Sequence, residues 1–318
     1  MLHNEIGSHK IFGHEKIESA LAGSIRSGKI FPTWVFNGPV GVGKFTMANR
    51  FARCLLSETI PSGDVLDVPQ QHPVHKLVET RTHPDLFILE DYADAAISIE
   101  NIRQLMVKFK KMPALSRHRV LLLNGAENLN RSIHNSLLKA LEEPPAYSVI
   151  IMICCNVGSM PKTLLSRSAR MNFHPLEISM VQSYLENTGV SNAHEFAKLS
   201  GGSIGYALQL QHNNGIIVWD ILNHIFHSNS LDDEVSKNIT HLMDTYTATH
   251  FPFIKECILR IMYDYSNMLL NNMPASVELD VKIAKIMDII SMLQKAQRLL
   301  LDKNVVLAYV FENFFSIC

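Results

Sequence analysis

Cysteine is scarce in this chain and poorly placed for metal or disulfide chemistry. Five of its 318 residues are cysteines, namely Cys54, Cys154, Cys155, Cys257 and Cys318, and no two form a C-x-x-C pair. That spacing excludes a paired-cysteine metal module and a disulfide framework. Cys154 and Cys155 lie in an apolar run, so both are expected as core thiols. No apolar stretch reaches membrane-spanning length, and the first residues lack an apolar signal segment. A cytoplasmic protein without membrane contact is therefore expected. Net charge is missing as well. A formal value of −1 gives no global pull toward nucleic acid, which leaves only local basic patches. There is no internal repeat and no low-complexity segment.

What the chain does have is a glycine-rich loop. Residues Gly38-Pro39-Val40-Gly41-Val42-Gly43-Lys44 follow the pattern G-x-x-x-x-G-K. An apolar run, Thr33-Trp34-Val35-Phe36, precedes it as a buried strand would. Phe45, Ala48, Phe51, Ala52 and Leu55 follow at helical spacing. Strand, glycine turn and helix thus come in the order that points backbone N–H groups at a phosphate, helped by the helix dipole. The chemistry is incomplete, however. Ser or Thr should follow the lysine to hold Mg²⁺, but Phe45 stands there, with Thr46 one step late. One residue on is about 100° around the helix, so Thr46 cannot simply take over.

Strands and helices alternate through the first half. Leu86–Leu89, Arg119–Leu123, Ser148–Cys155 and Arg170–Phe173 read as strands, with helices over Ile99–Phe109 and Ser132–Glu143. Pro144-Pro145 ends the second helix, because proline donates no hydrogen bond and clashes in a helix interior. Together with the strand before the loop, this predicts a five-stranded parallel sheet covered on both faces. Residues 57–84 read as a loop or short excursion. Beyond Pro175 the pattern is helical throughout. It suggests short helices to about 210, then longer ones over Leu231–Tyr246, Pro252–Leu270, Leu279–Leu300 and Val305–Phe315.

Several segments together resemble the delta-prime class of subunits in the bacterial DNA polymerase III clamp loader, members of the AAA+ family. They are Gly13-His14-Glu15, the glycine loop, Thr82-His83-Pro84-Asp85-Leu86, Ile102-Arg103, Asn135 to Pro145 (NSLLKALEEPP), Leu165-Ser166-Arg167-Ser168 and Gly201 to Gly205. The resemblance covers residues 10–210 well and the C-terminal helices weakly. It implies an α/β AAA+ domain over 1–175, a small helical lid over 176–215 and an all-helical collar domain for oligomerisation over 216–318.

It also implies a function. The family loads a ring-shaped sliding clamp onto primed DNA with ATP, alongside gamma/tau and delta subunits. ATP or ADP would lie on Gly38, Pro39, Val40, Gly41, Val42, Gly43, Lys44 and Thr46. Active members end the strand before the helix with Asp-Glu, which here reads Asn124-Gly125, and Glu127 nearby is expected as a solvated charge. They also carry a lid Arg, missing from Gly202-Ser203-Ile204-Gly205-Tyr206, while Asn156 matches a polar sensor position that a turn residue would also explain. Hydrolysis by this chain is therefore not expected, and no metal is. Arg167, in the place of the family's S-R-C arginine, would act as an arginine finger in a neighbour's site, with Ser168 replacing the Cys. Many members insert a four-cysteine zinc module. Only Cys54 is present here, and His72, His75 and His83 lack paired spacing, so no zinc is expected. Lys108, Lys110 and Lys111 are candidates for DNA phosphate contact. The competing readings are an active motor subunit of the same fold and a purely structural adaptor.

Overall fold

The computed structural model describes residues 11–90, 99–129, 131–228, 232–274, 276–298 and 301–317. Its contacts divide the chain into two compact units, Met1–Ala207 and Leu208–Cys318.

The first unit is built on five parallel strands: β1 (Thr33–Asn37), β2 (Leu86–Glu90), β3 (Arg119–Asn124), β4 (Ser148–Cys154) and β5 (Ala169–Asn172). Their spatial order is β2-β3-β4-β1-β5. Helices α1 (Glu15–Arg26), α2 (Lys44–Ser57), α3 (Pro73–Glu79), α4 (Ile99–Phe109), α5 (Arg131–Glu142) and α6 (Lys162–Leu165) connect them. Alternation along the strands feeds two cores. Trp34, Phe36, Val120, Leu122, Ile151 and Ile153 face the α2 side. Val35, Leu121, Leu123, Ile150 and Met152 face α4 and α5. Both faces are thus dry, which is why these strands read as unbroken apolar runs. The chain leaves β1 for the far edge, works back to β4, then crosses to β5 on β1's other side. That reversal makes β1 the switch point, where the carboxyl ends of an open parallel sheet leave a crevice.

Residues 57–84 hold more order than expected. Pro73 opens α3, and His72 caps it by accepting from Val74 N–H at 3.3 Å. Sandwiched between α1 and α3, α2 is buried nearly all round, including Arg50 and Arg53. Arg50 pairs with Glu18 at 2.7 Å, and Glu18 also accepts from Leu66 N–H. Three further helices, α7 (Ile178–Asn187), α8 (Ala193–Ser200) and α9 (Ile204–His212), follow β5.

The second unit is all-helical, with α10 (Gly215–His227), α11 (Asp233–Asn272), α12 (Val277–Arg298) and α13 (Lys303–Phe315). Two expectations need correcting here. Helix α10 falls between the helices expected from sequence, because its apolar residues run almost continuously and hide the helical period. A break between Tyr246 and Pro252 is expected from sequence, yet α11 runs unbroken for 40 residues. An interior proline costs about 3 kcal/mol, and the buried Phe251, Phe253, Ile254, Cys257 and Ile258 around it offset that cost. Leu231 and Leu300, limits of two expected helices, lie outside the described residues. Asp232 caps α11 through Val235 N–H, and Asp302 caps α13 through Asn304 and Val305 N–H. Phe226 of α10 packs edge-on against Phe314 of α13, with ring centres 4.6 Å apart.

Candidate nucleotide-binding site

At the carboxyl end of β1 the backbone turns through Gly38, Pro39, Val40, Gly41, Val42 and Gly43 into α2. Gly41 has φ +75° and Gly43 caps the helix at φ +102°. A Cβ on Gly41 would also lie 2.3 Å from Ser203 Oγ, so glycine is required there on two grounds. Lys44 is 5 % exposed. Its Nζ donates to the carbonyl oxygens of Gly38 and Pro39, both at 2.6 Å, and lies 3.7 Å from Cys155 Sγ. The ammonium therefore closes the loop on itself. Thr46 is half-buried in the first turn of α2.

Two distant segments complete the walls. His14 Nε2 donates to Val42 O at 3.0 Å, and its ring packs edge-on against Phe173. Desolvation lowers the pKa of His14. From the other side, Ser203 Oγ donates to Val40 O at 2.9 Å, and Gly205 N–H donates to Gly41 O at 3.0 Å. The start of α9 thus presses backbone to backbone on the loop. Both segments stood out in the sequence only as family signatures, since nothing local marks a contact so distant in the chain.

The positions that differ from an active site have other roles. Gly125 adopts φ +80° and leads into a short 3₁₀ turn, Ala126–Asn128. That turn swings Glu127 over the end of β4, where Oε1 accepts from Cys155 N–H at 2.8 Å. Glu127 is therefore half-buried and bonded, not the solvated charge expected. Cys155 also departs from expectation. Strand β4 ends at Cys154, so Cys154 is core while Cys155 sits exposed on the rim. Asn156 caps a turn by accepting from Gly158 N–H at 2.9 Å, which is the turn role.

Phe45 packs against the core, and the Arg81 guanidinium lies 5.8 Å from its ring centre. Arg81 pairs at 2.5 Å with Glu90, whose side chain is 3 % exposed at the end of β2. Glu90 stands in register beside Asn124. No sequence pattern singled out Arg81 or Glu90.

The cysteine and histidines weighed for zinc are engaged elsewhere. Burial pushes the Cys54 thiol up to about 12. His75 Nε2 lies 3.2 Å from Arg53, and His72 caps α3. His83 accepts from Asp85 N–H at Nδ1, so its Nε2–H faces Ser116 Oγ at 3.2 Å. Among the described residues no group of three or more His, Cys, Asp or Glu is placed to hold a metal ion.

Arg167 is remote from the loop. It lies between α6 and the amino end of β5, opposite the rim that carries Lys44. Register pairs Trp34 with Ala169 and Asn37 with Asn172. Along β1, Gly38 is therefore on the order of 20 Å from the level of Arg167, at about 3.3 Å per residue. The guanidinium is 41 % exposed, 3.3 Å from Glu142 Oε1, and donates to Thr163 O. Lys108, Lys110 and Lys111 are exposed at and just past the C-terminus of α4, where cations also suit the helix dipole.

A family model described as DNA polymerase III, delta subunit, matches residues 13–177, just over half of the chain. The chain belongs to that family. Its matched span takes in the sheet, the glycine loop and Arg167 and stops where the helical segments begin. Among relatives of this family member, the gamma subunit of DNA polymerase III from Buchnera aphidicola is 25 % identical over 263 residues, covering 82 % of this chain and 70 % of that one. The tau subunit from Salmonella typhimurium is 29 % identical over 56 % of this chain but only 27 % of its own length. The delta′ subunit from Pseudomonas aeruginosa is 29 % identical over 58 % of this chain and 56 % of its own. The chain thus spans about a quarter to 70 % of these relatives. No helix among the described residues is long and apolar enough to cross a membrane.

Proposed function

We propose that this chain is a delta-prime-like subunit of the DNA polymerase III clamp loader, deficient in hydrolysis, that lends Arg167 to a neighbouring subunit's nucleotide site. The observation that carries the reading is the separation of the two charges. Lys44 closes its own loop at the carboxyl end of the sheet, while Arg167 stands exposed at the amino end, out of reach of that loop. A guanidinium so placed is free to reach a neighbouring molecule once it leaves Glu142. Its ion pair with Glu142 is half-exposed and holds it by no more than about 1 kcal/mol, so a triphosphate could displace the carboxylate.

In this reading residues 1–175 form the AAA+ domain, 176–215 the lid and 216–318 the collar that packs against gamma/tau and delta subunits. Val277 and Val281 are exposed apolar side chains of α12 that such packing would cover. Gly38 to Lys44, with Thr46, would hold ATP or ADP without turnover. The sliding clamp and primed DNA would be met through the complex, with Lys108, Lys110 and Lys111 available to phosphates.

The test is ATP turnover in a reconstituted complex with clamp and primed DNA. Arg167→Ala should slow the site it faces by roughly 10³–10⁵, while Lys44→Ala should change turnover less than twofold. Turnover unaffected by Arg167→Ala would leave a structural adaptor. A second reading, a gamma/tau-like motor, is favoured by the similarity to tau and gamma subunits. It requires Lys44→Ala to abolish turnover by this chain.

A further inference from the structure

The fold family implies a divalent metal beside the nucleotide phosphates, and the residues here do not fit one. A hard cation needs oxygen ligands, with carboxylates favoured. Phe45 has no ligand atom where the hydroxyl belongs, and Asn124 is neutral where the aspartate belongs. The rim carboxylates are engaged: Glu127 Oε1 accepts from Cys155 N–H, and Glu90, one strand beyond Asn124, is tied to Arg81.

These departures share one explanation, which rests on the nucleotide reading of the loop. We infer that Arg81 is the resident cation of this phosphate site and that nucleotide binding here is independent of divalent metal. Three observations carry it. The Arg81 guanidinium lies over the ring of Phe45, the residue next to Lys44, so it sits beside the amino end of α2. Its carboxylate partner Glu90 stands at the carboxyl end of β2, beside Asn124, with its side chain almost wholly buried. The position also has a cost: Arg81 takes φ +57° just past the end of α3, a left-handed conformation that glycine would adopt about 1–2 kcal/mol more cheaply. Phe45 then has a role beyond lacking a hydroxyl, since it is the flat surface that holds the guanidinium in place. A permanently charged planar group can donate to phosphate oxygens but cannot exchange with solvent Mg²⁺.

The experiment titrates the full chain with ATP and with ADP, in Mg²⁺ and again in EDTA, by calorimetry. Equal affinities within about twofold are expected in the two buffers. Arg81→Gln should weaken binding at least tenfold, with folding checked by circular dichroism, and Arg81→Lys, which keeps the charge, should stay within about fivefold of the unsubstituted chain. Tightening by Mg²⁺ of tenfold or more would overturn the inference, as would unchanged affinity in Arg81→Gln. Absence of binding in both buffers would instead overturn the nucleotide reading beneath it. The comparison of buffers needs no variant, so it decides even where Arg81→Gln fails to fold.

Discussion

Asp85 shows how a single side chain can look like a functional signature and serve the fold. It is fully buried, accepts from the N–H groups of Ala114, Leu115 and Ser116 at 2.7–2.9 Å, and lies 3.3 Å from Arg119 Nε. Desolvation pushes its pKa up, but those three N–H groups and Arg119 outweigh it and hold the carboxyl below its ordinary value. A depressed folded pKa gives stability that is complete above the unfolded value near 4 and is lost as pH falls through the folded value. Asp85→Asn should therefore destabilise the chain by about 3–5 kcal/mol at pH 7. Urea titrations at pH 7 and pH 3 should show that loss shrinking in acid. A loss of equal size at both would refute the charge argument. Arg167 is the opposite case. Its contacts are half-exposed and weak, so Arg167→Ala should leave stability within about 0.5 kcal/mol.

At the scale of elements, the glycine loop and the start of α9 form one device. Gly205 N–H is bonded to Gly41 O, and a Cβ on Gly205 would come within 2.9 Å of Gly41 Cα. Gly205→Ala should thus push the two backbones apart and break that bond. Hydrogen exchange is the direct measurement: amides 203–207 should exchange at least tenfold faster than in the unsubstituted chain, while β3 and β4 keep their protection. Unchanged exchange would mean that the contact carries no energy. The strands, the loop and the ends of α4 and α5 were legible before any coordinates, because apolar runs and Pro144-Pro145 act within a few residues. Helices α10 and α11 were less so. Continuous apolarity masked the first, and Pro252 suggested a break in the second that packing overrides.

For the whole molecule the question is where chemistry happens. On the proposed reading, a loop closed on its own lysine, a neutral Asn124 and a Phe45 without ligand atoms would give the chain alone no turnover. Purified chain with Mg²⁺ and ATP should release phosphate no faster than a Lys44→Ala control, measured by a coupled phosphate assay. Brisk release would favour the motor reading. Within the assembly, Arg167 would be the chain's contribution to hydrolysis.

The sequence alone determined the architecture of the first unit, because periodicity and motif spacing are written locally. It also isolated Arg167, through likeness of pattern. Only the tertiary structure could set Arg167 at the opposite end of the sheet from Lys44, bring Arg81 over Phe45 beside Glu90, and fold Glu127 back onto Cys155. Those placements follow from strand order and from turns such as the one at Gly125. Strand order is fixed by which faces bury which side chains across the whole sheet, and no window along the chain contains that information.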